Sequence, residues 1–192
     1  MHLTTAGRPR DSEIDEAVLR ATVELLETDG YLGLTIGGVA ERAGTTKPAV
    51  YRRWPTKAHL VHAAVFPPQD FRAIRAGRDL RADIRTLVRL ALELLGRPAA
   101  RAALPGLLAE SVADSSVAAE VLGQAAGGTF AWLDRRLAEG VAAGEVRAGV
   151  RAVTVFELAA GAAFVASATR PDAINKQWID ETVDLIVRGI AP

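Results

Sequence analysis

RAGTTKPAVYRRW, residues 42–54, holds four cations, two large aromatics, two threonines, a glycine and a proline, with no acid among them. The chain around it is balanced: 192 residues carry 23 Lys and Arg against 23 Asp and Glu. Zero net charge gives no bulk attraction to nucleic acid or to a membrane, so electrostatic targeting has to come from local segregation. That segregation is sharp. Asp11 to Glu41 contains eight acids and one cation, Arg20, whereas Arg42 to Gln69 contains five cations (Arg42, Lys47, Arg52, Arg53, Lys57) and no acid. Positive potential gathered over one short element is what binding to phosphates requires.

Apolar residues recur at helical spacing along nearly the whole chain, and sustained strict alternation is absent, so the expected class is all-α. Ile14, Ala17, Val18, Ala21 and Leu25 form one face of a first helix, with Ser12 the expected N-cap, Asp15 in capping-box position and Gly30 a natural stop. A short helix from about Thr35 to Ala43 closes at Gly44. Thr46 then caps a shorter one, in whose first turn Pro48 is tolerated because the missing N–H there has no intrahelical partner. Pro55-Thr56 starts a fourth helix ending near Phe66, before Pro67-Pro68. Two short helices joined by a glycine turn describe a helix-turn-helix, whose second helix can enter a DNA major groove. Gly37 and Gly38 are expected in the first turn after Thr35, where lacking a side chain permits close approach to DNA backbone or a neighbouring helix.

The run GYLGLTIGGVAERAGTTKPAVYRRWPTKAHLVHAAV, residues 30–65, resembles the DNA-binding domain of the TetR family of transcriptional regulators. The resemblance rests on Gly30, Thr35, Val39-Ala40, Ala43-Gly44, Thr45-Thr46, Tyr51, Trp54 and Lys57. Thr45-Thr46 stands where the family commonly has a hydrophobic residue and serine, a mild departure that keeps the cap. It implies that Thr35 and Thr46 contact phosphates at helix starts. Lys47 and Ala49 would face base edges together with Thr45 and Pro48, and Tyr51 and Lys57 would hold the backbone. Trp54 is divided between packing and a phosphate contact through its indole N–H. Arg52 is the DNA-facing member of the Arg52-Arg53 pair, and Arg42 and Arg53 shape the field. Arg8 and Arg10 resemble a flexible arm laid along the minor groove, with a solvated tail as the alternative. The implied division is residues 1–55 for arm and DNA-binding domain, and 56–192 for ligand binding and dimerisation.

Beyond the first unit the spacing predicts helices over roughly 79–96, 99–113, 117–139, 150–169 and 173–190, about nine in all. AVTVFELAAGAAFVASA (152–168) is apolar nearly all round and has to be buried on most sides. Ala160 and Gly161, with the stripe Ile179, Val183, Ile186, Val187 and Ile190, are the expected interface with a second copy; an internal core is the alternative. Leu87, Glu110, Gln124, Trp132, Phe156 and Phe164 are the candidate lining of an effector pocket, apolar walls with a few polar groups. Arg72, Arg75, Arg78, Arg81, Arg85 and Arg89 form a basic stripe, read as a solvated face or an anion site.

The sequence contains no cysteine, no GxSxG, no P-loop and no pairing of a nucleophile with a base, so an enzyme is not expected. His59 and His62 lie one turn apart without a third ligand in sight, and neither a metal nor a cofactor is expected. The first fifteen residues lack the apolar stretch of a secretory signal, and a charged residue brackets each side of the apolar run 158–169. The expectation is a cytoplasmic, homodimeric, ligand-responsive repressor whose partners are operator DNA, a second copy and an unknown small molecule. The alternative is a helical DNA-binding or adaptor protein without an effector.

Overall fold

The protein is described as a computed structural model covering residues 8–67, 79–113 and 126–192. Among the described residues there are nine α-helices and no strand: α1 (Arg8–Gly33), α2 (Ile36–Arg42), α3 (Lys47–Arg53), α4 (Lys57–Val65), α5 (Leu80–Gly96), α6 (Pro98–Ala113), α7 (Ala131–Ala142), α8 (Ala152–Thr169) and α9 (Lys176–Ile190). The chain divides into two compact units, residues 1–67 with 102–120, and 68–101 with 121–192.

In the first unit the short helices are delimited by their own side chains. Thr35, Thr46 and Thr56 stand in extended backbone and accept from the amides of Gly38, Ala49 and His59, each satisfying a donor that the first helical turn leaves open. Gly44 takes φ +66, the left-handed conformation glycine adopts without penalty. The amide of Thr45 reaches the carbonyl of Ala40, and that of Gly44 reaches Glu41. This is the double hydrogen bond that closes a helix and turns the chain. Gly30 breaks α1 at φ 69, after which one further turn runs to Gly33. Ser12 is not the cap expected of it, because α1 already starts at Arg8, with Pro9 tolerated in the opening turn.

α1 packs on α4 and α2, and α2 on α3, around Leu26, Leu34, Val39, Val50, Leu60 and Val61, all essentially inaccessible to solvent. Each such side chain contributes roughly 1.5–3 kcal/mol by leaving water. His62 is buried among them, its ring 5.6 Å from that of Phe66 and its Nδ1 without a hydrogen-bond partner. Burial, reinforced by the nearby His59, lowers its pKa from 6.5 to about 4. Between those values the unfolded chain takes up a proton that the folded chain refuses, so stability is lost as pH falls through the window. The expected slope is up to about 1.4 kcal/mol per pH unit. Urea unfolding between pH 7 and 4.5 should give a steeper acid loss for the wild type than for His62→Leu; parallel curves would show that another group titrates.

The second unit is organised on α5, which packs against α8 and α9. Its core joins Ile84, Leu87, Val88, Leu133, Val155 and Val183. Ala159, Ala163 and Ala166 form the buried side of α8, and their small side chains let the helix approach its neighbours closely. By length and composition α8 would also suit a membrane, yet this alanine face is committed to the core.

Antiparallel register between α5 and α9 is marked by ion pairs: Arg81 with Asp184, and Arg85 with Asp180 at 2.6 Å. The basic stripe is therefore no free anion site at these two positions, since α9 supplies acids to both; Arg89 is exposed, and Arg72, Arg75 and Arg78 lie outside the described residues. Deeper in, Arg136 of α7 donates to Asp83 of α5 at 2.7 Å and to Glu145 at 3.3 Å, with Arg136 and Asp83 almost wholly buried. Burial works against this guanidinium's charge, but the hydrogen bonds to Asp83 and Glu145 outweigh it and hold its pKa above the ordinary value.

Candidate nucleic-acid interface

Of the side chains expected at DNA, those of α2, α3 and the turn between them are largely accessible. Thr35, Thr46, Lys47, Pro48 and Arg52 are exposed, Tyr51 is 49 % exposed, and Thr45 and Ala49 are half-buried. Val50, between Ala49 and Tyr51, is the one residue of α3 that is buried, so α3 spends a single side chain on the core and leaves the rest outside. Trp54 ends α3 in extended backbone and is half-buried.

The cations divide by partner. Arg42 meets Glu24 of α1 at 2.9 Å, and Arg53 meets Asp15 of α1 at 2.6 Å. The acids of α1 thus face the two arginines expected only to shape the field. Lys47 carries its stem across α2, where a methyl group on Gly37 would lie 2.6 Å from its Cε. Glycine at 37 leaves room for that lysine, and Gly38 offers the amide that Thr35 caps at 3.1 Å. Lys57, on α4, has an aromatic partner: its Nζ sits 4.3 Å above the ring of Tyr31. The backbone of Arg8 and Arg10 is the opening turn of α1 rather than an extended arm; their side chains lie outside the described residues.

Residues 18–64 match the model of the bacterial regulatory proteins of the tetR family, and residues 75–186 match the tetracyclin repressor-like C-terminal domain. The chain belongs to the TetR family. Both models describe regulatory or repressor-like proteins of that family. Over 158 residues it is 30% identical to the nucleoid occlusion factor SlmA of Marinobacter nauticus, covering 78% of this chain and 76% of that protein. Over 56 residues it is 48% identical to an HTH-type transcriptional regulator of Mycobacterium tuberculosis, a match spanning 29% of this chain and only 26% of that relative. The fold is shared with GusR of Salmonella enterica (TM-score 0.67, 20% identity, 97% of this chain and 99% of that one). It is shared too with FadR of Bacillus subtilis, solved with stearoyl-CoA (TM-score 0.63, 16% identity, 91% and 98%).

In the TetR-family C-terminal unit, the residues expected to line an effector pocket do not all meet. Leu87 and Trp132 are buried in one core cluster, Phe156 packs against it, and Phe164 is half-buried on α8. Phe156 meets Phe130 edge-to-face at 4.9 Å. Glu110 belongs to the first unit, where Tyr31 claims its carboxylate. Gln124 lies outside the described residues. Sequence reasoning missed Thr129: its hydroxyl and the Trp132 indole N–H are both buried without a hydrogen-bond partner. Thr129 falls in a π-helical turn, Ala126–Phe130, a local geometry common at functional sites that no residue pattern announces.

The stripe expected at a dimer interface needs correction. Val183, Ile186 and Ile190 face inward and belong to the chain's own core, with Ile179 and Val187 packed against it. The apolar side chains that α8 and α9 leave exposed are Leu158, Val165 and Leu185. Gly161 is exposed, with open space where a Cβ would stand, while Ala160 is half-buried. Of the histidines, His59 pairs its Nδ1 with Thr56 Oγ1 at 2.6 Å, and among the described residues no three His, Asp or Glu side chains are grouped as metal ligands would be.

Proposed function

We propose that this TetR-family chain is a homodimeric repressor that binds a palindromic operator and is released from it by a small-molecule effector. Residues 1–55 serve DNA binding and 56–192 serve ligand binding and dimerisation. The observation that carries the reading is the exposed face of α3, where Lys47, Pro48, Tyr51 and Arg52 stand clear while α1 acids engage Arg42 and Arg53. Lys47 and Ala49 are read as base contacts with Thr45 and Pro48; Thr35, Thr46, Tyr51 and Lys57 are read as phosphate contacts.

Two such faces one helical turn apart on DNA call for a two-fold partner, and Leu158, Gly161, Val165 and Leu185 are the apolar surface suited to it. Leu87, Trp132, Phe156 and Phe164 are proposed around the effector. The unpaired Thr129 hydroxyl and Trp132 N–H favour a ligand that brings an acceptor oxygen. FadR is solved with stearoyl-CoA, an instance of a ligand with a long apolar acyl chain in a chain of this fold.

Selection from random DNA with the purified protein tests the reading. A palindrome should emerge whose affinity falls steeply with salt, by about 0.9 in log–log slope per phosphate neutralised. Lys47→Ala and Arg52→Ala should each weaken that site about tenfold or more. Gly37→Ala, which pushes Lys47 aside, should weaken it as well. Binding that is absent or indifferent to salt would overturn the proposal. The similarity to SlmA, a nucleoid occlusion factor, favours a second reading, a DNA-binding protein without an effector. Under it, no small molecule in a metabolite panel releases the selected operator.

A further inference from the structure

Tyr31 sits at the meeting of three helices of the first unit, one residue after the break in α1 at Gly30. It is buried, and its hydroxyl donates to Glu110 Oε1 of α6 at 2.5 Å. Its ring lies over Gly106, one turn earlier on α6, so closely that a methyl group at 106 would overlap it. The ring also carries the ammonium of Lys57, the first residue of α4, 4.3 Å from the centroid. Burial raises the pKa of the phenol, with the Glu110 hydrogen bond and charge adding to it, so the proton stays on Tyr31. For Lys57, burial lowers the pKa while the charge of Glu110 opposes the fall. None of these four residues is explained by an isolated helix-turn-helix: a lysine meant only for phosphate would stand free in solvent, as Lys47 and Arg52 do.

We propose that Tyr31 and Glu110 are positioning residues for operator binding: anchored to α6 at Gly106 and Glu110, Tyr31 holds Lys57 and the first turn of α4 in the place from which they meet the DNA backbone. This rests on the proposed operator reading and adds to it two residues that act on the DNA contact only through Lys57. A cation held on an aromatic face keeps its charge while losing freedom, so less ordering remains to be done when a phosphate arrives.

The test measures fluorescence anisotropy of the selected operator against salt, with thermal unfolding alongside to identify the folded fraction. Tyr31→Phe keeps the ring and loses the hydroxyl; it should weaken operator binding about three- to tenfold. Glu110→Ala should match it, whereas Glu110→Gln, whose amide oxygen still accepts, should restore wild-type affinity. Lys57→Met should lower the salt slope by about one. In the Lys57→Met background, Tyr31→Phe should have little further effect, because the hydroxyl acts on the DNA only through the placing of Lys57, whose charge is then gone. The proposal is overturned if Tyr31→Phe and Glu110→Ala lower only the melting temperature, or if Lys57→Met leaves the slope unchanged. Failure of the operator reading itself looks different: the wild type then selects no DNA.

Discussion

Arg136→Met is expected to destabilise the protein by about 3–5 kcal/mol. The substitution keeps the bulk of the side chain but takes the guanidinium away from Asp83, a carboxylate 2.7 Å away and 3% exposed. A charge held that deep in low dielectric keeps its full desolvation cost once the opposite charge is gone. Glu145, about half exposed, can turn to water and loses little. At roughly 2–4 °C per kcal/mol for a chain of this length, the melting temperature should fall by on the order of 10 °C. The double variant Asp83→Leu with Arg136→Met should recover most of the loss, since replacing both partners by apolar side chains removes the charge along with its counter-charge. A melting temperature within a degree or two of wild type for Arg136→Met alone would show that the pair is not what holds α5 to α7.

The second large effect concerns assembly. Leu158→Asp with Leu185→Asp should turn a dimer into a folded monomer and weaken operator binding by a hundredfold or more. The exposed positions, 53% and 75% accessible, stand outside the buried core cluster, so the loss should not come from unfolding. A single recognition helix binds only a half-site; joining two makes the second contact intramolecular, at an effective concentration worth 10²–10⁴ in affinity (roughly). Size-exclusion chromatography with light scattering gives the mass, and anisotropy gives the affinity. If the variant still elutes as a dimer, the apolar face of α8 and α9 is not the interface. If it elutes as a monomer with affinity intact, two half-sites are not read together.

The helix-turn-helix was legible because its determinants are local. A threonine cap acts on an amide three residues on, Gly44 satisfies its own φ, and a proline in a first turn needs no distant partner. The segregation of charge before and after Arg42 was visible for the same reason. The acids of that first block, Glu24 and Asp15, are the ones that engage Arg42 and Arg53.

What the sequence could not supply is which side of a helix meets which neighbour. Val183, Ile186 and Ile190 form a stripe equally suited to a partner or to the chain's own core, and only the packing of α9 on α5 turns them inward and leaves Leu185 outside. Glu110 reads as a polar group in an apolar helix until Tyr31, 79 positions away, is brought to 2.5 Å. Arg136 and Asp83 carry no mark of burial, because a charge becomes buried only through what folds over it. Caps, turns and charge blocks are properties of a few consecutive residues, and these the sequence determined by itself. Facing, burial and long-range pairing depend on contacts across tens of residues, and these only the tertiary structure decided.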